Sequence, residues 1–465
     1  MVEASILNLM IEHKKIRQMN NHRQIRNMSG FLAGILTGLL LLMYIPAHTQ
    51  THSLRQCIDT ALLHNRNIRI ARLDGLMAGE KNREAKSTLM PRLNGFADYR
   101  YYTDQPYQIM PQAAFGGPEG AYKEIQFGVP QNLNANLQLA VPLFNPVGLG
   151  AIKSTEIAVE LAEIQKIKTD EDVVVEISGV YYNAQVLLNQ LAFMDSNIAN
   201  TNKLVQTATL LYQQQLAKST DVDRLKLQLE QLTTQRNTIS SRHRQALNAL
   251  KFLMGKPVTD SIHVSVYETS DAEVDFRPGT ITDMLLIEKK LEFSLSEVNA
   301  LKNSRLPSLN AYGVYGSNGF GTTGSDSFFN FHPIGYVGVQ LSVPLFNGMN
   351  TKRKIAAKKI EVDKSMVQKE MVAEKARLDL INAEMQYSIA STTIATVSAQ
   401  VDLAEKIYSN TVLQNSQGTA NITDVILADN ALREAQQNYI AALIDLRRAE
   451  LEYKRVTGNL LSENN

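Results

Sequence analysis

Apolar and polar residues alternate in two separate stretches of the chain, and this pattern predicts β-strands. Residues 133–141 carry an apolar side chain at every second position with mostly Asn or Gln between them, and residues 337–343 repeat the alternation. Successive side chains of a strand point to opposite faces, so each stretch has one apolar and one mainly polar face. A strand at 93–102, ending in tyrosines, and its counterpart in the second half bring the expected number to four.

A five-residue motif at the end of both stretches shows that the chain is a duplication. Val-Pro-Leu-Phe-Asn occupies Val141–Asn145 and recurs 202 residues later at Val343–Asn347. Internal repeats of this kind define the architecture of a chain. The correspondence extends upstream and downstream, pairing Leu89–Asn94 with Arg305–Asn310 at an offset of 216, and Thr220–Val222 with Thr423–Val425 at an offset of 203.

Long stretches with helical periodicity follow each copy of the motif. Apolar residues recur every three or four positions from Gly148 to about Tyr212 and from Asn350 to about Leu413, and shorter runs of the same kind end near residues 253 and 456. This is heptad spacing, and a helix of roughly 65 residues is about 100 Å long. The sequence predicts two helical hairpins with tips at 213–219 and 416–421. Helices at 54–89 and about 280–305 would cover the remainder of each long helix.

The N-terminal region has the features of a secretory signal. Fifteen apolar residues at 31–45 follow Arg23 and Arg26, which is short for a membrane-spanning helix and typical of a signal core. We expect cleavage between Ala47 and Thr51, and translation starting at either Met1 or Met19. The predicted organisation is a signal peptide and leader at 1–50, a first repeat at 51–255, a linker at 256–278, a second repeat at 279–460 and a tail at 461–465.

Composition excludes several classes of function. The formal net charge is +1, from 47 basic and 46 acidic side chains, which argues against a partner that is a nucleic acid. Cys57 is the single cysteine, so neither a disulfide framework nor a Cys-based zinc site is available. No residue pattern indicates a catalytic, cofactor or metal site, and the histidines have no ligand spacing.

Four strands with an apolar face pose a problem of edges. No segment after residue 51 has eighteen consecutive apolar residues, so any insertion into a membrane must use strands in a closed barrel. A four-stranded sheet leaves two unpaired edges. Two or three copies of the chain would be needed for closure, and three give twelve strands. The loops at Asp104–Asn132 and Ser317–Pro333 would lie on the outer side of the membrane.

The order of these elements, given twice, resembles the TolC family of outer-membrane efflux ducts. The shared features are a helix, Leu-x-Pro-x-Leu, two strands, Val-Pro-Leu-Phe-Asn, a long helix, a tip and a returning helix, over residues 52 to about 460. The segment Gly418–Ile426 is similar to the second tip of that family. The resemblance implies a mainly α-helical chain whose homotrimer forms a twelve-stranded β-barrel continued by a periplasmic tunnel of twelve helices. It also implies outer-membrane lipid, a periplasmic adaptor and an inner-membrane pump as partners, and no enzymatic activity.

The resemblance also assigns candidate site residues at the tips. Asp424 matches an acid that lines the periplasmic aperture in the family, although an acid at a helix N-terminus is also favoured by the helix dipole alone. Asp221 matches the acid of the first tip that pairs with an arginine in the family. That arginine is replaced here by Ala420, and a second aperture acid by Leu427, so the family's latch is expected to be absent. Lys218 could replace it only with a different geometry.

Two further groups of residues are candidates for contacts outside the chain. Small tip residues fit the docking of an adaptor hairpin, although ordinary turn chemistry explains them as well, and the prolines and phenylalanines of the duplicated motif should mark the junction between barrel and tunnel. Five basic residues from Lys352 to Lys359 lie just below the barrel, either in contact with lipid phosphates or simply solvated. The first two groups are Ala217, Ser219, Gly418, Thr419 and Ala420 at the tips, and Pro142, Phe144, Pro344 and Phe346 at the junction.

Three functions fit these features. The first is a passive duct that exports small molecules, drugs or metal ions, from an inner-membrane pump of the resistance-nodulation-division or ABC type. The second is the exit duct of a type I protein secretion system. The third is a periplasmic coiled-coil adaptor or scaffold, which the apolar strand faces at Leu137, Leu139 and Val141 disfavour.

Overall fold

The computed structural model describes residues 51–126, 128–265, 281–322 and 330–460. The predicted signal and leader at 1–50, the linker from residue 266 to 278 and the tail at 461–465 lie outside the described residues. The chain divides into a unit from Met1 to Thr51 and a unit from His52 to Asn465. The second unit contains all seven described α-helices.

The helices confirm the two predicted hairpins. The long helices have 68 and 67 residues, and each is followed by a returning helix of 35 residues. Within the described residues no helix is long and apolar enough to cross a membrane. The helices are α1 Leu54–His64, α2 Arg66–Ser87, α3 Pro146–Gln213, α4 Ser219–Leu253, α5 Thr282–Asn303, α6 Asn350–Ser416 and α7 Ile422–Val456.

The single helix predicted at 54–89 is wrong, because the chain breaks at Asn65. Asn65 has an extended backbone, with φ −62° and ψ 136°, and its side chain accepts hydrogen bonds from the amides of Asn67 and Ile68 at the start of α2. Its Nδ2 donates to the Leu253 carbonyl over 2.7 Å. An asparagine that caps a helix in this way competes with the continuous helix that apolar spacing predicts.

Four strands form one antiparallel sheet. Their order is β2 (Arg92–Tyr101), β5 (Gln131–Phe144), β7 (Ser308–Gly321) and β8 (Asn330–Ser342). Hairpin pairing within each repeat joins β2 to β5 and β7 to β8, whereas the β5–β7 pair joins the two repeats. β2 and β8 are the edges. Over the residues that the structure describes, the strands are β1 Thr51–His52, β2 Arg92–Tyr101, β3 Tyr107–Pro111, β4 Tyr122–Gln126, β5 Gln131–Phe144, β6 His263–Val264, β7 Ser308–Gly321 and β8 Asn330–Ser342.

The apolar face of this sheet is exposed. Leu137 lies opposite Tyr315 in the β5–β7 pair, and both side chains are on the surface. On the edge strand β8, Val337, Val339 and Leu341 are exposed on the same face. An exposed apolar sheet face with period two is typical of strands that contact lipid.

The predicted loops are shorter than expected. Within Asp104–Asn132, β3 and β4 form an antiparallel hairpin that encloses a short 3-10 turn at Gln112–Phe115. In the second loop, β7 continues to Gly321 and β8 begins at Asn330, so the strands extend into Ser317–Pro333, of which residues 323–329 lie outside the described residues. The Gly and Pro content of Asp104–Asn132 led to the prediction of a loop. The strands of this region form a hairpin without the regular apolar alternation that would have predicted them.

The two repeats correspond element by element along the sequence. α2 and α5 are both 22 residues long and start 216 residues apart, and α4 and α7 are both 35 residues long and start 203 residues apart. In each repeat the long helix packs against the preceding short helix at equivalent residues. Asn82 of α2 donates to the carbonyl of Ile152 in α3, and Val298 of α5 packs with Ile355 of α6. The long helices therefore correspond at an offset of 203, one more than the offset of 202 between β5 and β8 directly ahead of them.

Candidate functional site

Asp424 lies at the tip of the second hairpin, in the first turn of α7. Its Oδ2 accepts a hydrogen bond of 3.0 Å from the Asn421 amide, while the Asn421 side chain accepts from the amide of Asp424. This reciprocal arrangement is a capping box, in which two free amide groups of the helix end are satisfied. Asp424 is exposed, so a carboxylate that caps the helix also faces solvent at the tip.

Asp221 occupies the equivalent position at the first tip but is held differently. Its Oδ1 lies 4.0 Å from Nη1 of Arg224, one turn further along α4. The side chain of Asp221 is mostly covered, whereas that of Arg224 is exposed. Lys218 was the possible replacement for the family's arginine that the sequence offered. The structure instead places Arg224, of the same helix, beside Asp221.

The small residues of the tips form tight, mainly exposed turns. Gly418 has φ +77°, a conformation that favours glycine, and a Cβ there would contact nothing within 4 Å. The Thr419 amide donates to the Gln414 carbonyl over 2.9 Å, and Asn415 Nδ2 donates to the Ala420 carbonyl over 2.8 Å. At the first tip, Ser219 is exposed and Ala217 is partly covered. The turn geometry accounts for these small residues, and the exposure leaves their surface open to a partner.

An apolar cluster, named here the tip cluster, holds the two tips together within one chain. It combines residues of α3, α4 and α7, and Tyr408 and Val412 of α6 pack against it. Burial of such side chains stabilises by about 1.5–3 kcal/mol each. The two hairpins are thus joined near their ends. The tip cluster consists of Leu204, Ala208, Val222, Leu225, Ile422 and Val425.

A buried ion pair lies further along α7 from this cluster. Asp429 is 1% exposed, and its Oδ2 accepts from Arg433 of the same helix and, over 3.0 Å, from Nε2 of Gln228 in α4. Arg433 Nη2 also donates to Thr201 Oγ1 of α3 over 3.0 Å. These bonds connect the second hairpin to both helices of the first. We name Asp429, Arg433, Gln228 and Thr201 the hairpin seam.

The hairpin seam is electrostatically costly. Burial raises the pKa of the Asp429 carboxyl, while Arg433 and the hydrogen bonds oppose that shift. Burial likewise lowers the pKa of Arg433, and Asp429 opposes this. Asp429 Oδ1 and Arg433 Nε have no hydrogen-bond partner among the described residues. Removing one member of such a pair leaves the other as an uncompensated buried charge.

Sequence reasoning missed the hairpin seam. It named acids at the tips by their motif, whereas Asp429 and Arg433 have the i,i+4 spacing of an ordinary surface pair on a helix. One signal was available, because Asp429 lies one position from Ala428 and three from Leu432, both on the buried side of α7. A charge within a buried helix face indicates a paired interior position.

The junction residues differ between the repeats. In the first repeat the register of the β5–β7 pair shifts between Pro142 and Phe144, and the Asn145 side chain caps α3 by accepting from the Gly148 amide over 3.0 Å. Pro146 follows as a buried first helical residue. The strand leads into the helix without an intervening turn.

In the second repeat two residues with positive φ separate the motif from the helix. Gly348 has φ 64° and Met349 has φ 65°, and no side chain caps α6. Pro344 and Phe346 lie in this exposed segment, where Phe346 is 82% exposed, compared with 44% for Phe144. The extra residue of the second repeat is located here.

No part of the described chain is arranged for metal binding. Among residues 51–126, 128–265, 281–322 and 330–460, no group of three or more His, Cys, Asp or Glu side chains could hold a metal ion. The features that the fold does present are an exposed apolar sheet, two long helical hairpins and two joined tips.

This architecture is that of outer-membrane channels of known structure. The outer membrane protein VceC of Vibrio cholerae matches with a TM-score of 0.69 and 16% identity, covering 87% of this chain and 96% of that one. The CmeC outer membrane channel of Campylobacter jejuni matches with a TM-score of 0.71 and 15% identity, covering 87% and 85%. CusC matches with a TM-score of 0.70 and 14% identity, covering 88% and 95%.

The sequence itself establishes the family. Residues 57–256 and 282–459 match the family model described as outer membrane efflux protein, and the chain belongs to that family. Outer membrane protein TolC of Salmonella enteritidis is 22% identical over 454 residues, which is 92% of this chain and 86% of the relative. TolC of Escherichia coli K12 is 22% identical over 457 residues, with the same coverage.

Membership confirms the class of protein that the sequence indicated. The chain is an outer-membrane efflux channel with a periplasmic helical tunnel, and its relatives are channels and not enzymes. Proteins of this kind form trimers and work with efflux pumps. The resemblance noted in the sequence is therefore confirmed.

Proposed function

We propose that three copies of this chain form the outer-membrane exit duct of a tripartite efflux system. In this arrangement a twelve-stranded barrel spans the outer membrane and twelve helices form the periplasmic tunnel. Small molecules, drugs or metal ions, leave the cell passively through it. The single observation that carries the proposal is a four-stranded sheet whose two edge strands, β2 and β8, are the duplicates of its two central strands, β7 and β5.

The pairing between repeats predicts how the edges close. In the chain, β5 of the first repeat pairs with β7 of the second, with Leu137 opposite Tyr315. The equivalent strands are β8, at an offset of 202, and β2, at an offset of 216. Repeating the β5–β7 pairing between copies therefore places Val339 of one copy opposite Tyr99 of the next. Such a head-to-tail contact generates a closed ring when its rotation closes.

Three copies satisfy the backbone of every barrel strand. An edge strand in lipid leaves amide and carbonyl groups unpaired, at a cost of several kcal/mol for each group. Bacterial barrels have an even number of strands, starting at eight. Two copies would give a barrel of the smallest size, and the family's trimers support three.

The partners follow from the position of the tips. The exposed turns that contain Ala217, Ser219, Gly418, Thr419 and Ala420 would receive the hairpin of a periplasmic adaptor, which connects the duct to an inner-membrane pump of the resistance-nodulation-division or ABC type. Asp424, with Asp221 on the neighbouring tip, would face the periplasmic aperture. The exposure of Asp424 supports this role, and its part in the helix cap is compatible with it.

The domain organisation completes the proposal. Residues 1–50 direct export and are removed, 51–255 and 279–460 are the two structural repeats, and 256–278 and 461–465 are a linker and a tail. Pro142, Phe144, Pro344 and Phe346 would lie at the periplasmic rim, where the barrel meets the tunnel. The alternative of a type I secretion duct would use the same architecture with a protein as cargo.

The proposal is tested in a strain that lacks its own outer-membrane duct. The purified protein should migrate in gels as a heat-modifiable trimer from the membrane fraction, and its expression with a matching adaptor and pump should restore dye efflux. Recovery of the protein in the soluble periplasmic extract would overturn the duct. Restored secretion of a protein substrate without dye efflux would favour the type I alternative.

A further inference from the structure

One face of α6 is apolar and exposed, although the same face of α3 is buried. At the offset of 203 that aligns the two long helices, three positions carry aliphatic side chains in both repeats but differ in exposure. The exposed fractions are 3% for Ile157 and 68% for Ile360, 4% for Val186 and 64% for Ile389, and 6% for Leu204 and 48% for Ile407.

The second repeat covers this face of α3. Val186 packs in one cluster with Ile440 and Leu443 of α7, and Leu204 belongs to the tip cluster, which includes α7 residues. Near the other end of α3, Ser154 Oγ accepts a hydrogen bond of 3.0 Å from Ser296 Oγ of α5. The elements on the face are thus α5 and α7, whose first-repeat equivalents are α2 and α4.

We infer that α2 of a second copy of this chain packs along the exposed face of α6 in a register that pairs Arg353 with Glu84 and Glu374 with Arg66. The inference rests on the proposed trimer and adds which helices meet and in what register. Aliphatic residues at the same positions of both long helices indicate the same kind of neighbour. Between Ile360 and Ile389 the exposed apolar side chains continue at heptad spacing, and a continuous exposed apolar surface marks an interaction site. They are Val367, Met371, Leu378 and Met385.

Transferring the α3–α5 contacts to the neighbouring copy produces complementary charges. An added Cβ on Gly150 of α3 would lie 2.8 Å from the Cα of Ala300 in α5, so these two residues are in close contact. Their equivalents are Arg353 of α6 and Glu84 of α2. A pair of small residues within the chain is therefore replaced between copies by a basic and an acidic residue.

A second transferred contact gives the same result. Thr282 Oγ1 of α5 donates to Glu171 Oε1 of α3. The equivalents of these two residues are Arg66 of α2 and Glu374 of α6, which again have opposite charges. Arg353, Glu84, Arg66 and Glu374 are all exposed, and none of them has an ion-pair partner within the described residues. Arg66 lies over the Phe252 ring, 5.7 Å from its centroid. Other contacts, such as Glu160 with Lys289, transfer to positions without this complementarity.

Helices α6 and α2 of two copies must lie further apart at this contact than α3 and α5 do within one chain. Two helices as close as α3 and α5 at Gly150 have no room for the side chains of Arg353 and Glu84. Longer charged side chains can span a wider gap and still meet at their tips. Such pairs contribute little energy at a surface, but they disfavour a shifted register because like charges would then approach.

The pairing of Arg353 with Glu84 is tested by reversing the charge of each residue. R353E and E84R should each lower the temperature at which the detergent-solubilised trimer dissociates in a semi-native gel, and the double variant R353E/E84R should recover most of that loss. K352E is the matched control, because its first-repeat equivalent, Leu149, remains exposed at 47%. It should dissociate near the wild-type temperature. Additive losses in the double variant, or an equal loss in K352E, would overturn the inference.

Cysteine cross-linking tests the same contact without relying on stability. E84C combined with R353C should form oxidised oligomers on non-reducing gels, and E84C combined with K352C should not. The native Cys57 does not interfere, because it is buried and burial raises the pKa of its thiol to about 11. Cross-links in the control pair alone would overturn the register.

The failure of this inference is distinguishable from the failure of the duct. Mass photometry of the wild-type protein in detergent gives the oligomeric state first. Trimers whose charge reversals show no coupling would overturn the interface and leave the duct intact. A wild-type protein without trimers would overturn both.

Discussion

The exposed acid at the tip and the buried acid further along the same helix differ in what they contribute. Asp424 completes a helix cap and faces solvent. Asp429, five residues later, is buried and bonds to Gln228 of α4, while its partner Arg433 bonds to Thr201 of α3. A motif identified the first, and only packing reveals the second. The comparison teaches that the acid exposed at the tip and the acid that holds the hairpins together are separate residues.

The largest effect is expected from removing the buried cation. R433A leaves the Asp429 carboxylate without its partner at a site that is 1% exposed, and such a loss costs about 3–5 kcal/mol. Urea unfolding of the detergent-solubilised protein, followed by helical circular dichroism, measures the change. The double variant D429L/R433M removes both charges and should be more stable than R433A. If R433A and the double variant unfold alike, the seam is not an energetically coupled pair.

A dependence of stability on pH is expected from Asp429. Because burial raises the pKa of Asp429, the folded state binds a proton more readily than the unfolded state. Its contribution to stability is then fully present below the ordinary carboxyl pKa and declines as the pH rises through the raised value. The unfolding free energy of the wild type minus that of D429N should decrease from about pH 4 upward, since the ordinary aspartate pKa is about 3.9. A difference that increases over this range would contradict the assigned direction.

A smaller effect is expected at the exposed acid. D424A removes one half of the capping box and an acid from the first turn of α7, which costs about 0.3–1 kcal/mol. If Asp424 faces the aperture, the same change should raise single-channel conductance or weaken block by polyvalent cations in planar bilayers.

A matched variant distinguishes a role of Asp424 in the helix cap from a role of its charge in the aperture. N421A removes the reciprocal half of the capping box without changing the charge. Conductance altered in D424A and unchanged in N421A would support the aperture role. Equal changes in both would mean that the cap, and not the charge, affects the channel.

The smallest effect is expected at Asp221. Its contact with Arg224 is 4.0 Å long and joins a mostly covered side chain to an exposed one on the same helix, and pairs of this kind contribute about 0.2–0.5 kcal/mol. D221N should shift the urea midpoint by less than D424A does. A loss comparable to that of R433A would show that Asp221 forms a stronger contact in the assembled ring.

The sequence predicted the large elements because they depend on periodicity. Heptad spacing sustained over sixty residues leaves few alternatives to a long helix, and the duplicated motif located both transitions from strand to helix. The long helices at Pro146–Gln213 and Asn350–Ser416 confirm this.

The finer features depend on single residues and on distant contacts. The break at Asn65 depends on one side chain that caps a helix and bonds to Leu253, 188 residues away. The hairpin between β3 and β4 depends on backbone pairing in a region without apolar alternation. The hairpin seam needs α3, α4 and α7 to be brought together, and periodicity along one helix does not contain that information.

The two transitions from strand to helix differ, and this difference affects the symmetry of an assembled ring. Asn145 fixes α3 directly to its strand, while Gly348 and Met349 insert a turn of positive φ ahead of α6. A ring of three chains would contain six such connections of two alternating kinds, three in which a capped helix follows the strand directly and three with an intervening turn. The tunnel would then have threefold symmetry where it meets the barrel, although its helices are arranged with nearly sixfold symmetry. We expect any tilting of the helices against the barrel to occur mainly at the three connections with the intervening turn.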